Sequence, residues 1–478
     1  MNIEPLKSKI GLFGIGLEAY WEQFDGLKDR LTGYLQIVAN EIEKYETNLI
    51  NLGLIDNVDK AFEAGDTFKR EDVDLIFLYV STYALSATVM PVLRKAGVPV
   101  IVLNLSPEAR IDYKWFNDLN DRTKMTGEWL AHCGACPVPE IANVLRRSNV
   151  MFFQVTGMLK DDAEVWSEIG QWVKAAKVAR VLQYNRIGLM GNYYGGMMDI
   201  YTDLTAITAT FGGHMEIIEV DKLSALKGTV ADAEIDAKIT TIYETFEVQS
   251  DCADSEIRRA AVTAVALDKI VDEFKLGSFV YYHKGSGNPA NEDTMSSVIL
   301  GNSLLTGRHI PAAGEYEVKN VIAMKIMDEF GSGGSFTEYY AMDYVDDVVL
   351  MGHDGPCHPA IAEGKVKVKP LRVYHGKVGS GLSVEMSVKH GDVTLLSIIE
   401  DGHGRMKFLV AEGQSVPGEI LEIGNTNSRY QFSIGAKAFV ENWNQQGPAH
   451  HLAVGSGHIS ASLKKLASIL EIECVMIC

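Results

Sequence analysis

Residues 314–359 read GEYEVKNVIAMKIMDEFGSGGSFTEYYAMDYVDDVVLMGHDGPCHP, and this stretch decides how the rest of the chain is interpreted. From Val318 the apolar residues follow a helical period that stops at the glycines of GSGG. SFTEYYAM and VVLM then predict two strands joined by an acidic turn. Glu315 therefore lies just before a helix, Glu338 lies in the first strand, and His353 follows the second strand. Two carboxylates and an imidazole can converge on one point.

A fourth group for such a site would come from the pair His450-His451 in GPAHHLAVGSGH. Two carboxylates with one or two imidazoles form a ligand set that suits Mn, Co or Mg, whereas a structural zinc site is typically rich in thiolates. No cysteine lies near Glu315 or Glu338 in the sequence, which agrees with this choice of metal. From the residues alone, either histidine of the pair could be the ligand. Each candidate could also be an ordinary helix-terminal, strand or turn residue.

These motifs resemble the L-arabinose isomerase family, whose members are related to L-fucose isomerase. The resemblance rests on GEYEVKNVIAMKIM, GGSFTEYY, VVLMGH and AHH, which occur in this order. The spacing also matches, with 23 positions from Glu315 to Glu338 and 15 from Glu338 to His353. The C-terminal half of the chain is covered well. The N-terminal half is similar only in its pattern of strands and helices.

The resemblance implies an aldose–ketose isomerase that depends on a metal ion and acts on a free sugar through an enediol intermediate. It implies Mn²⁺ as the ion, with Co²⁺ or Mg²⁺ as alternatives. Two catalytic glutamates would also bind the ion, together with two histidines, and His450 would lie beside them. The family further implies a homo-oligomer, a trimer or hexamer, with active sites at subunit interfaces. The implied ligands are Glu315, Glu338, His353 and His451.

Composition and charge exclude several classes of protein. The chain has 478 residues, enough for two or three domains, and a hydrophobic fraction of 47%. Its formal net charge of −19 argues against nucleic acid or an anionic membrane as a partner. No apolar run approaches the length of a membrane span, and MNIEPLKSKIGLFGIG lacks the pattern of a signal peptide. We therefore expect a cytoplasmic metabolic protein, and the resemblance implies a small sugar as its partner.

The six cysteines do not form an evident disulfide framework. Cys133 and Cys136 form a CGAC motif, which could be redox-active or half of a metal site. No second CxxC completes a zinc site. We therefore expect buried, reduced thiols, as is usual in a reducing compartment.

The first part of the chain, residues 1–182, is predicted to be a doubly wound, Rossmann-like α/β domain. Helical patterns alternate with apolar strands such as VDLIFLYVS and VPVIVLNLS, which are typical of parallel strands buried on both faces. Gly14 and Gly16 give a GxG after the first strand, but Ala19 replaces the third glycine of a dinucleotide fingerprint. NAD binding would rest on this incomplete motif alone.

Residues 183–325 predict a second domain of the same class. RIGLMGNYYGGMMDIYTD has a strand and then glycines, but no lysine of a phosphate-binding loop follows. By resemblance, Tyr193 and Tyr194 would form walls of a substrate pocket. His283 ends the strand SFVYYHKG and could hydrogen-bond a substrate. Two segments, 220–246 and 255–275, predict long amphipathic helices.

The last part, residues 326–478, is predicted to contain an antiparallel β-sheet or a small barrel. VKVKPLRVYHG, LSVEMSVKHGDVTLLSIIED and RMKFLVAEGQSV alternate apolar and polar residues between glycine or aspartate turns. A helix and a short strand close the chain. The histidines in the turns, His375, His390 and His403, are expected to be structural.

The polar segment 108–139 is predicted to be a surface loop, and it leaves the choice of substrate open. In the family, the corresponding loop carries a glutamine and a histidine that reach a neighbouring active site. Here the nearest equivalents are Asp121, Arg122 and Lys124, and Tyr20 lies in a second altered loop. An arginine fork suits phosphate, sulfonate or carboxylate. An isomerase of an acidic sugar and a non-catalytic sugar-binding protein are therefore the alternatives.

Overall fold

A computed structural model of the protein describes residues 6–372 and 379–478. The chain divides into two units, Asn2–Arg180 and Val181–Cys478. One residue considered above, His375, lies outside the described residues.

The first unit is built on a five-stranded parallel sheet with the order β2-β1-β3-β4-β5. This is one of the two common orders of doubly wound sheets. Every residue of the middle strand, Leu75–Tyr79, is buried, as its continuous apolar sequence predicts. The strands are β1 Lys9–Ile15, β2 Asn48–Ile55, β3 Leu75–Tyr79, β4 Val100–Ser106 and β5 Phe152–Met158. The helices are α1 Leu27–Ile42, α2 Val58–Glu71, α3 Met90–Ala96, α4 Tyr113–Asp118, α5 Arg122–His132, α6 Val138–Arg147 and α7 Ala163–Tyr184, with 3-10 turns at Glu18–Tyr20, Glu43–Tyr45 and Ser86–Thr88.

The predicted surface loop at 108–139 is wrong, because this segment is largely helical. It contains α4 and α5 and the beginning of α6. Aspartate side chains cap the first two helices: Asp112 accepts from the amides of Lys114 and Trp115, and Asp121 accepts from that of Lys124. Aspartate at an N-cap satisfies amides that have no partner within the helix. In the sequence, these aspartates indicate helix N-termini, although the polar composition of the segment favours a loop.

The expectation of reduced thiols is also wrong for one pair of cysteines. Cys133 and Cys136 form a disulfide between the end of α5 and the start of α6. Their separation of three residues lets the turn bring the two sulfurs together. The cysteines at 252, 357, 474 and 478 are free, as expected.

The second unit contains three sheets. β10-β9-β6-β7 is parallel, and β15-β18-β11-β12-β17-β16-β19 is antiparallel except for the pair β16/β19. β15 also pairs with β16, and β14-β13-β8 form a small third sheet. The strands are β6 Arg186–Gly191, β7 His214–Ile218, β8 Glu247–Val248, β9 Ser278–Tyr282, β10 Ala312–Ala313, β11 Ser335–Asp343, β12 Val348–His353, β13 Lys367–Leu371, β14 Gly381–Glu385, β15 Gly391–Glu400, β16 Met406–Val416, β17 Thr426–Gln431, β18 His451–Ser456 and β19 Glu473–Met476. The helices are α8 Leu204–Phe211, α9 Val220–Lys227, α10 Asp232–Thr245, α11 Asp254–Phe274, α12 Pro289–Met295, α13 Ile299–Thr306, α14 Val318–Glu329, α15 Ala436–Gln445 and α16 Ser460–Ile469, with 3-10 turns at Met198–Ile200 and Pro359–Ile361.

A mixed α/β fold with parallel sheets before a mostly antiparallel one is thus confirmed. Closure of the antiparallel sheet into a barrel stays a prediction, as does the division into domains at 182 and 325. The single helix expected over 220–246 is wrong, since α9 ends at Lys227 and α10 begins at Asp232. Gly228 lies between them, and glycine commonly ends a helix.

Helix α14 is the central element of the second unit. Every residue from Val318 to Asp328 is buried, including four with polar side chains. The ammonium group of Lys319 donates to the Asp199 carbonyl at 2.8 Å, and that of Lys325 donates to the His309 carbonyl at 2.8 Å. Asp328 accepts from His358 at 3.1 Å. A helix buried on all sides holds its ends rigidly, so the residues before Val318 have a well-defined position.

Among the described residues, no helix combines the length and apolar character that crossing a membrane requires.

Candidate metal centre

Glu315 lies in a tight turn that leads into α14. The backbone φ angles of Glu315 and Tyr316 are 57° and 66°, in the left-handed region that residues other than glycine rarely adopt. The Tyr316 amide donates to the Tyr281 carbonyl at 3.2 Å, and the Glu317 amide donates to the Gly314 carbonyl at 3.0 Å. Two consecutive residues in this region cost on the order of 1 kcal/mol or more each. The surrounding hydrogen bonds and packing maintain this conformation, which is characteristic of functional sites.

The antiparallel sheet brings three further candidates together through its register. Glu338 on β11 lies directly opposite His451 on β18 and opposite Gly352 on β12. Residues directly opposite each other in an antiparallel pair have neighbouring side chains. His353, the last residue of β12, follows Gly352. Strand pairing therefore joins residues that are about a hundred positions apart in the chain.

The polar atoms of these residues form a tight cluster. Oε2 of Glu315 lies 3.4 Å from Nε2 of His451 and 3.7 Å from Nε2 of His450. Oε2 of Glu338 lies 3.8 Å from the same His450 nitrogen. Two groups of three residues have ligand atoms within 4.8 Å of one another, and they share His451. One is Glu315, His450 and His451, and the other is Glu338, His353 and His451.

An aromatic side chain lines the inner side of this cluster. The ring of Phe336, which is fully buried, lies 4.3 Å from that of His353 and 4.4 Å from that of His451. Both histidines are buried. Nδ1 of His353 lies 3.1 Å from the Asp354 carbonyl, which can only accept, so this nitrogen carries a proton when the bond forms. Electrostatic interactions in such a poorly hydrated place are stronger than in water.

His450 is held by carboxylates on both of its ring nitrogens. Its Nδ1 lies 2.6 Å from Oδ2 of Asp199, which also accepts from the His450 backbone amide at 2.9 Å. Burial alone would lower the pKa of His450, but its interactions with Glu315 and Asp199 prevail and raise that pKa to about 9. Conversely, His450 holds the pKa of Asp199 below its usual value despite partial burial. The imidazole is therefore positively charged at neutral pH when no ion is bound.

Two carboxyl groups of the site have unusual pKa values. Burial raises the pKa of Glu338 to about 7; His450 opposes this shift and the carboxylate of Glu315 adds to it. Burial likewise raises the pKa of Glu317, two residues after Glu315, to about 7. A carboxyl group that titrates near neutrality can both take up and release protons.

The residues of this cluster fit a hard divalent cation. Carboxylate oxygens and imidazole nitrogens suit Mn²⁺, Co²⁺ or Mg²⁺, and no thiol belongs to either described group of three. The groups lie close enough for one ion, and their negative charges would be neutralised by it. Because both groups contain His451, that histidine belongs to either choice of ligand set. His450 belongs to one of the two groups.

The predicted substrate-binding residues of the second unit are aromatic neighbours of this site. The ring of Tyr193 lies 4.8 Å from that of Tyr316, which directly follows Glu315. The ring of Tyr194 lies 4.7 Å from that of Tyr282. His283 lines a small cavity together with Asp354, the residue after His353. Tyr193 and His283 thus lie beside residues that directly follow Glu315 and His353, and Tyr194 packs against the last residue of β9.

The other three predicted substrate-binding residues belong to the first unit. Arg122 and Lys124 are exposed and lie in the first turn of α5. Tyr20 ends a 3-10 turn and is half-buried.

Comparison with known proteins agrees with the motifs. A family model of the L-arabinose isomerase C-terminal domain matches residues 333–473. The L-arabinose isomerase of Nocardioides sp. (strain ATCC BAA-499 / JS614) is 22% identical over 351 residues, which is 71% of this chain and 68% of that protein. The L-arabinose isomerase of Aeromonas salmonicida (strain A449) is 21% identical over 327 residues, 66% of this chain and 65% of that protein. The resemblance to the L-arabinose isomerase family is confirmed.

The family model matches the part of the chain in which β11, β12 and β18 lie. The segment matched by the family model contains Glu338, His353 and both histidines of the pair, and it begins after Glu315. The chain spans about two thirds of the length of the two L-arabinose isomerases.

Two residues of the cluster were missed by sequence reasoning. Asp199 lies in the loop after β6, 251 positions before the histidine that it binds. Nothing in the local sequence distinguishes it from Asp203, the other acidic residue between β6 and α8. Glu317 could have been noticed, because GEYE contains a second glutamate two residues after Glu315.

Proposed function

We propose that this protein is a metal-dependent aldose–ketose isomerase that acts on a free sugar through an enediol intermediate. The observation that carries the proposal is the convergence of two carboxylates, Glu315 and Glu338, on paired histidines. The sequence similarity to L-arabinose isomerases supports the same reaction class. Isomerisation moves a proton between neighbouring carbons while a carbonyl and a hydroxyl exchange, which two positioned carboxylates can perform.

In this proposal Glu315, Glu338, His353 and His451 hold a divalent ion, with Mn²⁺ the expected metal and Co²⁺ or Mg²⁺ as alternatives. When bound, such an ion supplies Lewis-acid stabilisation of negative charge on sugar oxygens. It would also lower the pKa of nearby carboxyl groups, because a cation favours their charged form.

The chain's own residues would do the proton transfer. One of Glu315 and Glu338 accepts the proton from carbon, and the other moves the hydroxyl proton. The raised pKa of Glu338 suits a group that both accepts and returns a proton. His450, held by Asp199, presents Nε2 to both glutamates and can donate a hydrogen bond to a sugar oxygen there.

A nearby cavity has a suitable size for a monosaccharide. Its volume is about 500 Å³, and its lining includes Asp199, Lys319 and Ala449, the residue before His450. Ligand pockets commonly have volumes of roughly 300–1,000 Å³. Tyr193, Tyr194 and His283 are proposed to contact the sugar from the same unit. As in the family, we expect a homo-oligomer, which sedimentation velocity would detect.

Turnover of a panel of sugars tests the proposal. The panel contains neutral pentoses and hexoses beside phosphorylated, sulfonated and uronic aldoses, assayed with Mn²⁺ and after chelation. Conversion of a neutral sugar only with metal is the expected result. Conversion of acidic sugars alone would instead make Arg122 and Lys124 candidates for recognition. A protein that binds a sugar but converts none would be a sugar-binding protein.

Replacing the first glutamate tests its role in the reaction. Glu315→Gln keeps the size of the side chain but cannot accept a proton, so turnover should fall at least ~1,000-fold while the fold is kept. Glu329→Gln, at the other end of α14, is the matched control, because Glu329 pairs with Lys325 away from the cluster. A near-normal rate for Glu315→Gln would contradict the assignment.

A further inference from the structure

Glu317 is a buried carboxylate to which the proposed reaction gives no task. It is the N-cap residue of α14 and is 0% exposed. Neither carboxylate oxygen accepts a hydrogen bond of ordinary geometry among the described residues, although the Asn320 amide lies near enough to oppose the rise in the pKa of Glu317. Burial of such a group is unfavourable. A buried polar group of this kind in a native protein needs an explanation, such as a catalytic role or a nearby ion.

The neighbour of this carboxylate is the histidine shared by both ligand groups. Oε2 of Glu317 lies 3.7 Å from Nδ1 of His451, and both side chains are 0% exposed. On the other side of the ring, Nε2 of His451 lies 3.4 Å from Oε2 of Glu315. The two ring nitrogens thus face two different carboxylates. The nitrogen that faces Glu315, Nε2, is directed toward the proposed metal-binding cluster.

A histidine that binds a metal through Nε2 keeps its proton on Nδ1. That N–H group then needs an acceptor, because it is buried. The present separation of 3.7 Å is longer than a hydrogen bond, and a shift of less than about 1 Å would bring it into range. The same arrangement already exists at His450, whose Nδ1 meets the carboxylate of Asp199. At His353, Nδ1 meets the backbone carbonyl of Asp354.

We propose that Glu317 is a positioning residue for His451: its carboxylate accepts a hydrogen bond from Nδ1–H when Nε2 holds the metal ion. This inference rests on the proposed function, because it takes His451 as a ligand. A carboxylate behind a metal-binding histidine selects the tautomer, orients the ring and makes the ligand nitrogen more basic. Glu317 acts on the metal only through His451 and has no contact with the substrate.

Metal affinity and metal-free stability together test this role. Glu317→Gln keeps the volume of the side chain and removes its charge, so we expect Mn²⁺ to bind about 10- to 100-fold more weakly by isothermal titration calorimetry. The Tm of the chelated variant should equal or exceed that of the unsubstituted protein, because a buried carboxylate of poor hydrogen bonding has been removed.

Asp328→Asn is the matched control. Asp328 is a buried carboxylate on the same helix, 11 residues away, and it is hydrogen-bonded to His358. This variant should bind Mn²⁺ as tightly as the unsubstituted protein and should have a lower Tm. Glu317→Asp, which keeps the charge, should restore part of the lost affinity.

Two results would overturn this inference and leave the proposed function intact. Glu317→Gln could bind Mn²⁺ with unchanged affinity, or its chelated form could lose Tm as Asp328→Asn does, which would indicate a structural role. If the unsubstituted protein itself bound no Mn²⁺, Co²⁺ or Mg²⁺, the proposed function would fail, and this inference would fail with it.

Discussion

His450 shows how one side chain can depend on a distant partner. Asp199 contacts its Nδ1 at 2.6 Å, and Glu315 lies 3.7 Å from its Nε2. Although burial favours the neutral ring, these carboxylates raise its pKa to about 9. The charged imidazole in turn offsets part of the repulsion between the carboxylates of the metal-free site.

Asp199→Asn should lower the pKa of His450 toward its ordinary value of about 6.5. A pKa that is raised in the folded state contributes stability that is fully present below about pH 6.5. That stability is lost as the pH rises through about 9. In chelated protein, the stability advantage of the unsubstituted chain over Asp199→Asn should therefore shrink between pH 6 and pH 10, as measured by urea unfolding. NMR titration of the His450 ring gives the pKa directly, and an unchanged value would contradict the pairing.

At the scale of elements, strand β12 depends on a glycine beside a metal-ligand candidate. A Cβ atom on Gly352 would lie 1.8 Å from the Thr426 carbonyl oxygen and 2.7 Å from Cα of Asn427 on β17. Gly352 pairs with Asn427 in the register of the sheet, and His353 follows it. Only glycine permits this close approach of the two backbones. The approach sets the position of the end of β12, where His353 lies.

Gly352→Ala should destabilise the protein by ~3 kcal/mol or more, because the β12–β17 contact cannot relax without moving backbone. Gly402→Ala is the control: a Cβ atom there meets nothing within 4 Å, so the change should stay within about 0.5 kcal/mol. Urea unfolding of the two variants measures the difference. Equal stabilities would mean that the two strands separate easily at this point.

For the whole molecule, the candidate ligands all lie in the unit Val181–Cys478 and come from separate parts of it. Glu315 precedes α14, Glu338 lies in β11, His353 ends β12 and His451 begins β18. An ion held by them would cross-link a buried helix to three strands. The unfolded chain would not hold these groups together, so binding should favour the folded state.

Mn²⁺ should therefore raise the Tm, and chelation should reverse the change. At a free concentration 100 times the Kd, the added stability is about 2.7 kcal/mol. Differential scanning calorimetry with and without Mn²⁺ measures it. His451→Ala should remove most of the shift, because this residue belongs to both groups of possible ligands. A shift of the same size in this variant would locate the ion elsewhere.

The elements that the sequence predicts correctly are those with strong local signals. Strand β3 is recognisable because five consecutive apolar residues are typical of a parallel strand that is buried on both faces. The bounds of α14 followed from its helical period and from the glycines after it. In the segment 108–139 the polar composition favours a loop, whereas the aspartate caps of α4 and α5 begin helices there.

The sequence by itself determined the classes of element, the resemblance to L-arabinose isomerases and the carboxylate and histidine candidates. These depend on local periodicity and on short motifs, which can be read along the chain. Only the tertiary structure decided that Glu338 faces His451, that Asp199 holds His450 and that Glu317 lies behind His451. The physical reason is that strand register and the burial of α14 set these distances, and both result from packing between segments far apart in sequence.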